Sequence, residues 1–147
     1  MKIKILLLSA LVAFFFLSSC SINVNSSTEM TRQKNNKLIG FWESVEYPGM
    51  IRVFETDGNY YTINKSGTKY VISLKGKYSV ISDNMYRETA ETARTESEMA
   101  FKDIDYNVKY RFLGSDQVVE FSGTIQYKDG RTPTNWVEKY NRVPTLD

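Results

Sequence analysis

The sequence predicts an all-β protein: a small antiparallel up-and-down β-barrel of about eight to nine strands. Three observations predict it. Two long stretches, Ile104 to Leu113 and Gln117 to Tyr127, alternate apolar and polar residues with the period of a half-buried strand. Asp-Gly pairs at Asp57-Gly58 and Asp129-Gly130 are placed to turn hairpins, because these residues accept positive φ. Aromatics make up 14% of the chain, ten of them Tyr, and large rings fit a pleated surface better than a helix.

The elements follow in order. Leu38 to Glu46 reads as a first strand, ended by Tyr47-Pro48-Gly49. Met50 to Glu55 and Tyr60 to Asn64 form a hairpin across Thr56-Asp57-Gly58-Asn59. Lys65-Ser66-Gly67 turns into Lys69 to Leu74, followed by Gly76 to Ile81 as a separate strand. Ser82-Asp83-Asn84 leads to Met85 to Ala90. Glu91 to Phe101 is charged and without strand alternation, and reads as a long loop with a helical turn. In the next strand Ile104, Tyr106, Val108, Tyr110 and Phe112 share one face. In the one after it, Val119, Phe121, Gly123, Ile125 and Tyr127 do so. Thr134 to Val143 closes the series, with Trp136 and Tyr140 on one side. A meander of this length removes its exposed edges by curling closed. About eight strands enclose a space that side chains fill or that holds one small ligand.

The first residues are of another kind. Lys2 and Lys4 precede an apolar run from Ile5 to Leu17, too short for a span of roughly 20 residues, and small residues follow. Residues 1–19 therefore read as a secretory signal peptide. Leu17-Ser18-Ser19-Cys20 resembles the lipobox of bacterial lipoproteins. The resemblance implies cleavage before Cys20, a diacylglycerol on its sulfur and an acylated new amino terminus. One acyl chain holds a protein only marginally, whereas two or more make a lasting anchor. Ser21 stands where Asp resembles an inner-membrane retention signal, and INVNSS carries no acidic cluster, so the expected location is the outer membrane, on its periplasmic face. Residues 20–36 are polar and aperiodic, a lipidated cysteine and tether spanning about 20–24 Å as a coil. Residues 37–147 form the one domain.

Composition excludes several functions. The chain has 19 Lys+Arg and 17 Asp+Glu; Lys2 and Lys4 fall in the signal, so the remainder has 17 of each. A neutral domain argues against nucleic acid as a partner. There is no His, and Cys20 is the only Cys. Ser-His-Asp and Cys-His catalysis, the usual zinc sites and disulfides are thereby removed. We expect no cofactor, no metal and no enzyme activity.

Leu38-Ile39-Gly40-Phe41-Trp42 resembles the Gly-x-Trp signature of the lipocalin-like (calycin) barrels. The resemblance implies that Trp42 closes one end of the barrel, that Gly40 allows close backbone approach, and that a basic residue of the last strand, Arg142, packs on the indole ring. IRVFETDGNYYTI, GKYSVISDNMY, YRFLGSDQ and NWVEKYNRV extend the likeness. They are similar to uncharacterised lipocalin-like lipoproteins of Bacteroidetes across Leu38 to Val143. This implies a fold and a compartment but no catalytic residues.

Candidate binding residues are the inward aromatics Tyr60, Tyr106, Tyr110, Phe112, Phe121, Tyr127, Trp136 and Tyr140, which either line a pocket or fill the barrel. Asp103 with Asp105, and Glu88 with Glu91, are paired carboxylates; they read as solvated surface rather than as acid–base or Ca²⁺ sites. Ser66-Gly67-Thr68-Lys69-Tyr70 weakly resembles the Ser-Gly-x-x-Tyr loop of membrane-bound lysozyme inhibitors, though a plain hairpin turn explains it equally well. Two functions follow: a binding module for a small hydrophobic molecule or glycan fragment, or a filled barrel that meets another envelope protein.

Overall fold

A computed structural model describes residues 36–146. Eight strands, β1 (Gly40–Ser44), β2 (Met50–Phe54), β3 (Asn59–Ser66), β4 (Lys69–Ser82), β5 (Met85–Ala93), β6 (Asp105–Phe112), β7 (Val118–Ile125) and β8 (Thr134–Val143), form a closed barrel in chain order. Every neighbouring pair is antiparallel, and β8 returns to β1 with Trp42 opposite Arg142. The fold is thus the all-β up-and-down barrel that the alternation predicts. Cys20, the signal and most of the tether lie outside the described residues.

Two boundaries differ from expectation. The fourth and fifth expected strands are one strand, β4, and Lys75-Gly76 is a register shift inside it rather than a break. Gly76 is needed there: a Cβ would lie 2.1 Å from the Thr89 carbonyl oxygen and 2.5 Å from the Tyr60 ring. The bulge bends β4 inward, and the missing side chain makes room for Tyr60. β5 runs on to Ala93, into the stretch expected to be loop, and the rest of that stretch holds the expected helical turn, α1 (Glu96–Met99), started by a capping box. Thr95 Oγ1 accepts from the Glu98 N–H, and the Glu98 carboxylate accepts from the Thr95 N–H.

The up-and-down order gives the barrel two unlike ends. The closed end gathers Leu38, the turns at 55–58, 83–84 and 113–117, and the end of β8. The other end, the mouth, carries the loops 45–49, 67–68, 94–104 and 126–133. At the closed end Trp42 is fully buried and its Nε1 donates to the Leu38 carbonyl at 2.6 Å. Arg142 lies over the Trp42 ring, 4.2 Å from Cζ to centroid. It donates to the carbonyls of Ile39 (2.9 Å), Lys37 (2.5 Å) and Asp116 (3.1 Å). Gly40, at φ 127°, passes so near that a Cβ would sit 2.9 Å from Arg142 Nη1. The arrangement implied by the Gly-x-Trp resemblance is therefore present in the geometry.

Inside, Phe54 is the hub of an edge-on ring cluster with Tyr78 and Tyr86, while Phe121 packs on Tyr86 and Tyr140. A second apolar cluster lies outside the barrel wall, where Ile51, Val53 and Ile63 pack with Phe41, Tyr61, Tyr70 and Leu146. β2 is consequently buried on both faces, which hides its parity in the sequence.

Candidate functional site: a buried polar chamber behind the β6–β7 seam

The mouth half of the barrel holds charges. Arg52, on β2 two residues from Phe54, points inward and is 8% exposed. Its Nη2 donates to both oxygens of Glu88, at 2.8 and 3.0 Å, and Nη1 donates to Tyr86 Oη at 3.0 Å. Tyr106 Oη donates to Glu88 Oε1. Glu88 is 0% exposed. The expectation that it lies on a solvated surface is thus corrected. On β5 the period of two puts Glu88 on the same face as Tyr86 and Ala90, both buried, and that face is the interior. Glu91, Asp103 and Asp105 are exposed as expected.

Four rings surround the Arg52 guanidinium. Phe121 (5.6 Å), Tyr60 (5.8 Å), Trp136 (5.8 Å) and Phe54 (5.9 Å) all have their centroids within cation–π range. Burial opposes the charge on Arg52. It is the largest single effect, but Glu88 and, after it, the tyrosines Tyr86, Tyr140 and Tyr106 together outweigh it and hold the guanidinium pKa above its ordinary value. Burial likewise pushes the hydroxyls of Tyr60, Tyr86, Tyr106 and Tyr140 far above the usual tyrosine range. Glu138, half-buried on β8, accepts from Tyr140 Oη at 2.5 Å.

Two donors in this chamber are left over. Tyr60 Oη and Trp136 Nε1 are buried and make no hydrogen bond. An unmet buried donor costs about 1–3 kcal/mol. Trp136 lies against Gly123, where a Cβ would come within 3.2 Å of its Nε1.

The wall opens beside Trp136. The β6–β7 ladder runs from Phe112 opposite Val119 to Val108 opposite Gly123 and stops. β6 continues to Asp105 against β5, and β7 continues to Ile125 against β8. A cleft of about 730 Å³ lies along this seam, lined among others by Tyr106, Asn107, Thr124, Gln126, Asn135 and Trp136.

Of the aromatics expected inside, Tyr60, Tyr106, Tyr110, Phe121 and Tyr140 are buried, and Phe112 and Trp136 are half-buried against the same core. Tyr127 is a correction. β7 ends at Ile125, so the alternation no longer applies. Tyr127 lies on the mouth hairpin, with Arg131 over its ring at 4.7 Å and its hydroxyl on Thr134 Oγ1. The Ser66-Gly67-Thr68-Lys69 stretch is an exposed β3–β4 turn at the same end. Among the described residues no group of three or more His, Cys, Asp or Glu is placed to hold a metal ion.

Sequence reasoning missed Arg52 altogether. The signal for it was parity with Phe54, obscured by apolar neighbours on both faces of β2. Residues 27–147 match the DUF4488 family, described as a domain of unknown function, and the chain belongs to it. No curated protein matches the chain.

Proposed function

We propose that this member of the DUF4488 family is a lipoprotein, anchored through Cys20 to the periplasmic face of the outer membrane, whose barrel binds a small molecule and catalyses nothing. The lipobox supports the anchor. The described chain begins at Asn36, at the closed end, so the anchoring segment joins the barrel at the end opposite the mouth.

The observation that carries the binding role is the seam. Trp136, whose buried Nε1 makes no hydrogen bond, lines a cleft of about 730 Å³, within the roughly 300–1,000 Å³ of small-molecule sites. Amides and hydroxyls from Asn107, Thr124, Gln126 and Asn135 line it, together with the charged side chains of Arg87, Asp105 and Lys109. That lining favours a glycan fragment over a wholly hydrophobic molecule, since a polar surface stripped of water needs hydrogen-bonding partners.

The test is native mass spectrometry of the lipoprotein extracted from its own membranes in detergent. An added mass that vanishes on denaturation is expected, absent from a Trp136→Ala variant. Cys20→Ala should move the protein out of the membrane fraction without changing its melting curve; a variant that stays in the membrane refutes the anchor. A second reading, a docking module for another envelope protein, draws on Val45, Tyr47 and Met99, which are 48%, 59% and 51% exposed around the mouth. A bare mass together with a stoichiometric co-purifying protein would select it.

A further inference from the structure

We propose that the ligand of this cleft is an acidic sugar whose single oxyanion, a carboxylate or a sulfate ester, is held between Arg87 and Lys109; this rests on the small-molecule reading of the seam. The cleft does not end at the seam. On its closed-end side lies a second hollow of about 310 Å³, lined by Asn84, Tyr110, Arg111 and Glu120, which shares Lys109 and Ser122 with the first. The two make one furrow along the outer face of β6 and β7. From Asp105 to Arg111 it follows about 20 Å of extended strand, long enough for more than one sugar ring.

The charges in this furrow are not matched. Arg111 Nε donates to Glu120 Oε1 at 2.8 Å, which closes that pair. Asp105, toward the mouth, accepts from Thr89 Oγ1. Between them Arg87 and Lys109 are exposed, and neither forms an ion pair among the described residues. Arg87 on β5 stands opposite Asn107 on β6, and Lys109 is two residues further along the same outward face. Side chains on that diagonal have Cβ atoms about 7–8 Å apart, so an arginine and a lysine both reach one oxyanion between them. The two cations repel each other, and an anion between them turns that repulsion into attraction. The guanidinium fork takes two oxygens of the group, and the ammonium adds a point charge. A ligand cation meets only repulsion here, and a neutral sugar leaves both charges to water. Around the pair, the amide of Asn107 and the hydroxyl of Ser122 both donate and accept, as sugar hydroxyls require. Thr124 gives its proton to Asn135 Oδ1, which leaves the Asn135 amide nitrogen to donate. Val137, 62% exposed, and Met85 offer apolar surface to the C–H groups of a ring.

Four probes built on one ring separate the possibilities. Glucuronate, glucose 6-sulfate, glucose and glucosamine carry a carboxylate, a sulfate, no charge and a cation. The readout is the side-chain amide resonances of Asn107 and Asn135 in the ¹⁵N-labelled lipoprotein in uncharged detergent, titrated to a Kd. Glucuronate and glucose 6-sulfate are expected to move both signals, and the tighter of the two names the oxyanion. Glucose should bind about tenfold more weakly, and glucosamine more weakly still. Arg87→Gln and Lys109→Gln, both on the surface, should keep the melting curve and each weaken the anion about three- to fivefold, the worth of an exposed ion pair. Added salt should weaken it too. Glucose or glucosamine binding as tightly as both anions would overturn the oxyanion and leave small-molecule binding standing. Anion binding unchanged in the double variant would overturn it equally. If no probe moves the signals, the acidic sugar falls as well, and small-molecule binding falls only if the native mass is also bare.

Discussion

Two arginines lie on aromatic rings at opposite ends of this barrel, and their partners differ. Arg142, at the closed end, gives its N–H groups to three backbone carbonyls while its face rests on Trp42. Arg52, in the mouth half, is buried and gives its N–H groups to a carboxylate and a phenol. Arg142 brings no second charge into the interior; it ties the incoming chain and the 113–117 turn to the barrel end. Arg52 requires Glu88, and the pair then requires polar groups around it. Polarity in the mouth half is self-propagating for this reason. Each buried charge recruits a tyrosine or a second carboxylate, until Tyr60 and Trp136 are left with protons and no acceptor.

Alkaline pH should separate the two ends most strongly. Burial keeps Tyr60, Tyr86, Tyr106 and Tyr140 protonated far above the usual tyrosine range. Above about pH 10 the unfolded chain loses these protons and the folded barrel keeps them. The folded state then binds more protons, so stability falls as pH rises, by about 1.4 kcal/mol per pH unit for each tyrosine. Urea midpoints measured from about pH 9 to 11 should fall steeply. Tyrosinate absorbance from these four should appear only with unfolding; its appearance in the folded protein would mean that the chamber is wet.

Breaking the ion pair comes next. Glu88→Ala leaves Arg52 charged and buried, and should cost about 3–5 kcal/mol by chemical denaturation. Arg52→Met combined with Glu88→Leu should cost less than Glu88→Ala alone, because two apolar side chains of similar volume replace the pair. If the double variant is the less stable, the pair is a net stabiliser and not a constraint that the chamber tolerates. At the other end Trp42→Ala should cost about 3–5 kcal/mol through the cavity it leaves. Arg142→Ala should cost less, on the order of 1–2 kcal/mol, since its ring contact and carbonyl bonds are replaceable by water. An Arg142→Ala loss as large as that of Glu88→Ala would erase the distinction between the two arginines.

The closed end was legible in the sequence because its residues are unusual for their positions. Gly40 and Trp42 stand out at the start of a strand, and Arg142 pairs with Trp42 across the closing ladder. β6 and most of β7 were legible because one face is wet and one dry. The chamber was not legible. Arg52 lies in Met-Ile-Arg-Val-Phe, where Ile51 and Val53 are also buried, under the outer cluster. Alternation carries no information in a strand buried on both sides. Glu88 lies among Arg87 and Thr89, where local charge suggests solvent; only its parity with Tyr86 and Ala90 points inward. The β6–β7 seam depends on which residues fail to pair across strands, and no single strand encodes that.

Tyr127 gives the smallest effect and the sharpest test of where alternation stops. Parity with Val119 and Phe121 counts it as interior, yet β7 releases its partner after Ile125 and the backbone turns outward into the mouth hairpin. Its half-buried ring then lies beneath Arg131, and its hydroxyl bonds to Thr134. Exposed contacts of this kind are worth little, so Tyr127→Ala should shift stability by no more than about 0.5–1 kcal/mol. Tyr106→Ala, same parity and same ring but inside the chamber against Glu88, should lose about 3–5 kcal/mol. Equal losses in the two variants, read by urea denaturation, would mean that β7 runs on past Ile125 and closes the seam on which the binding site depends.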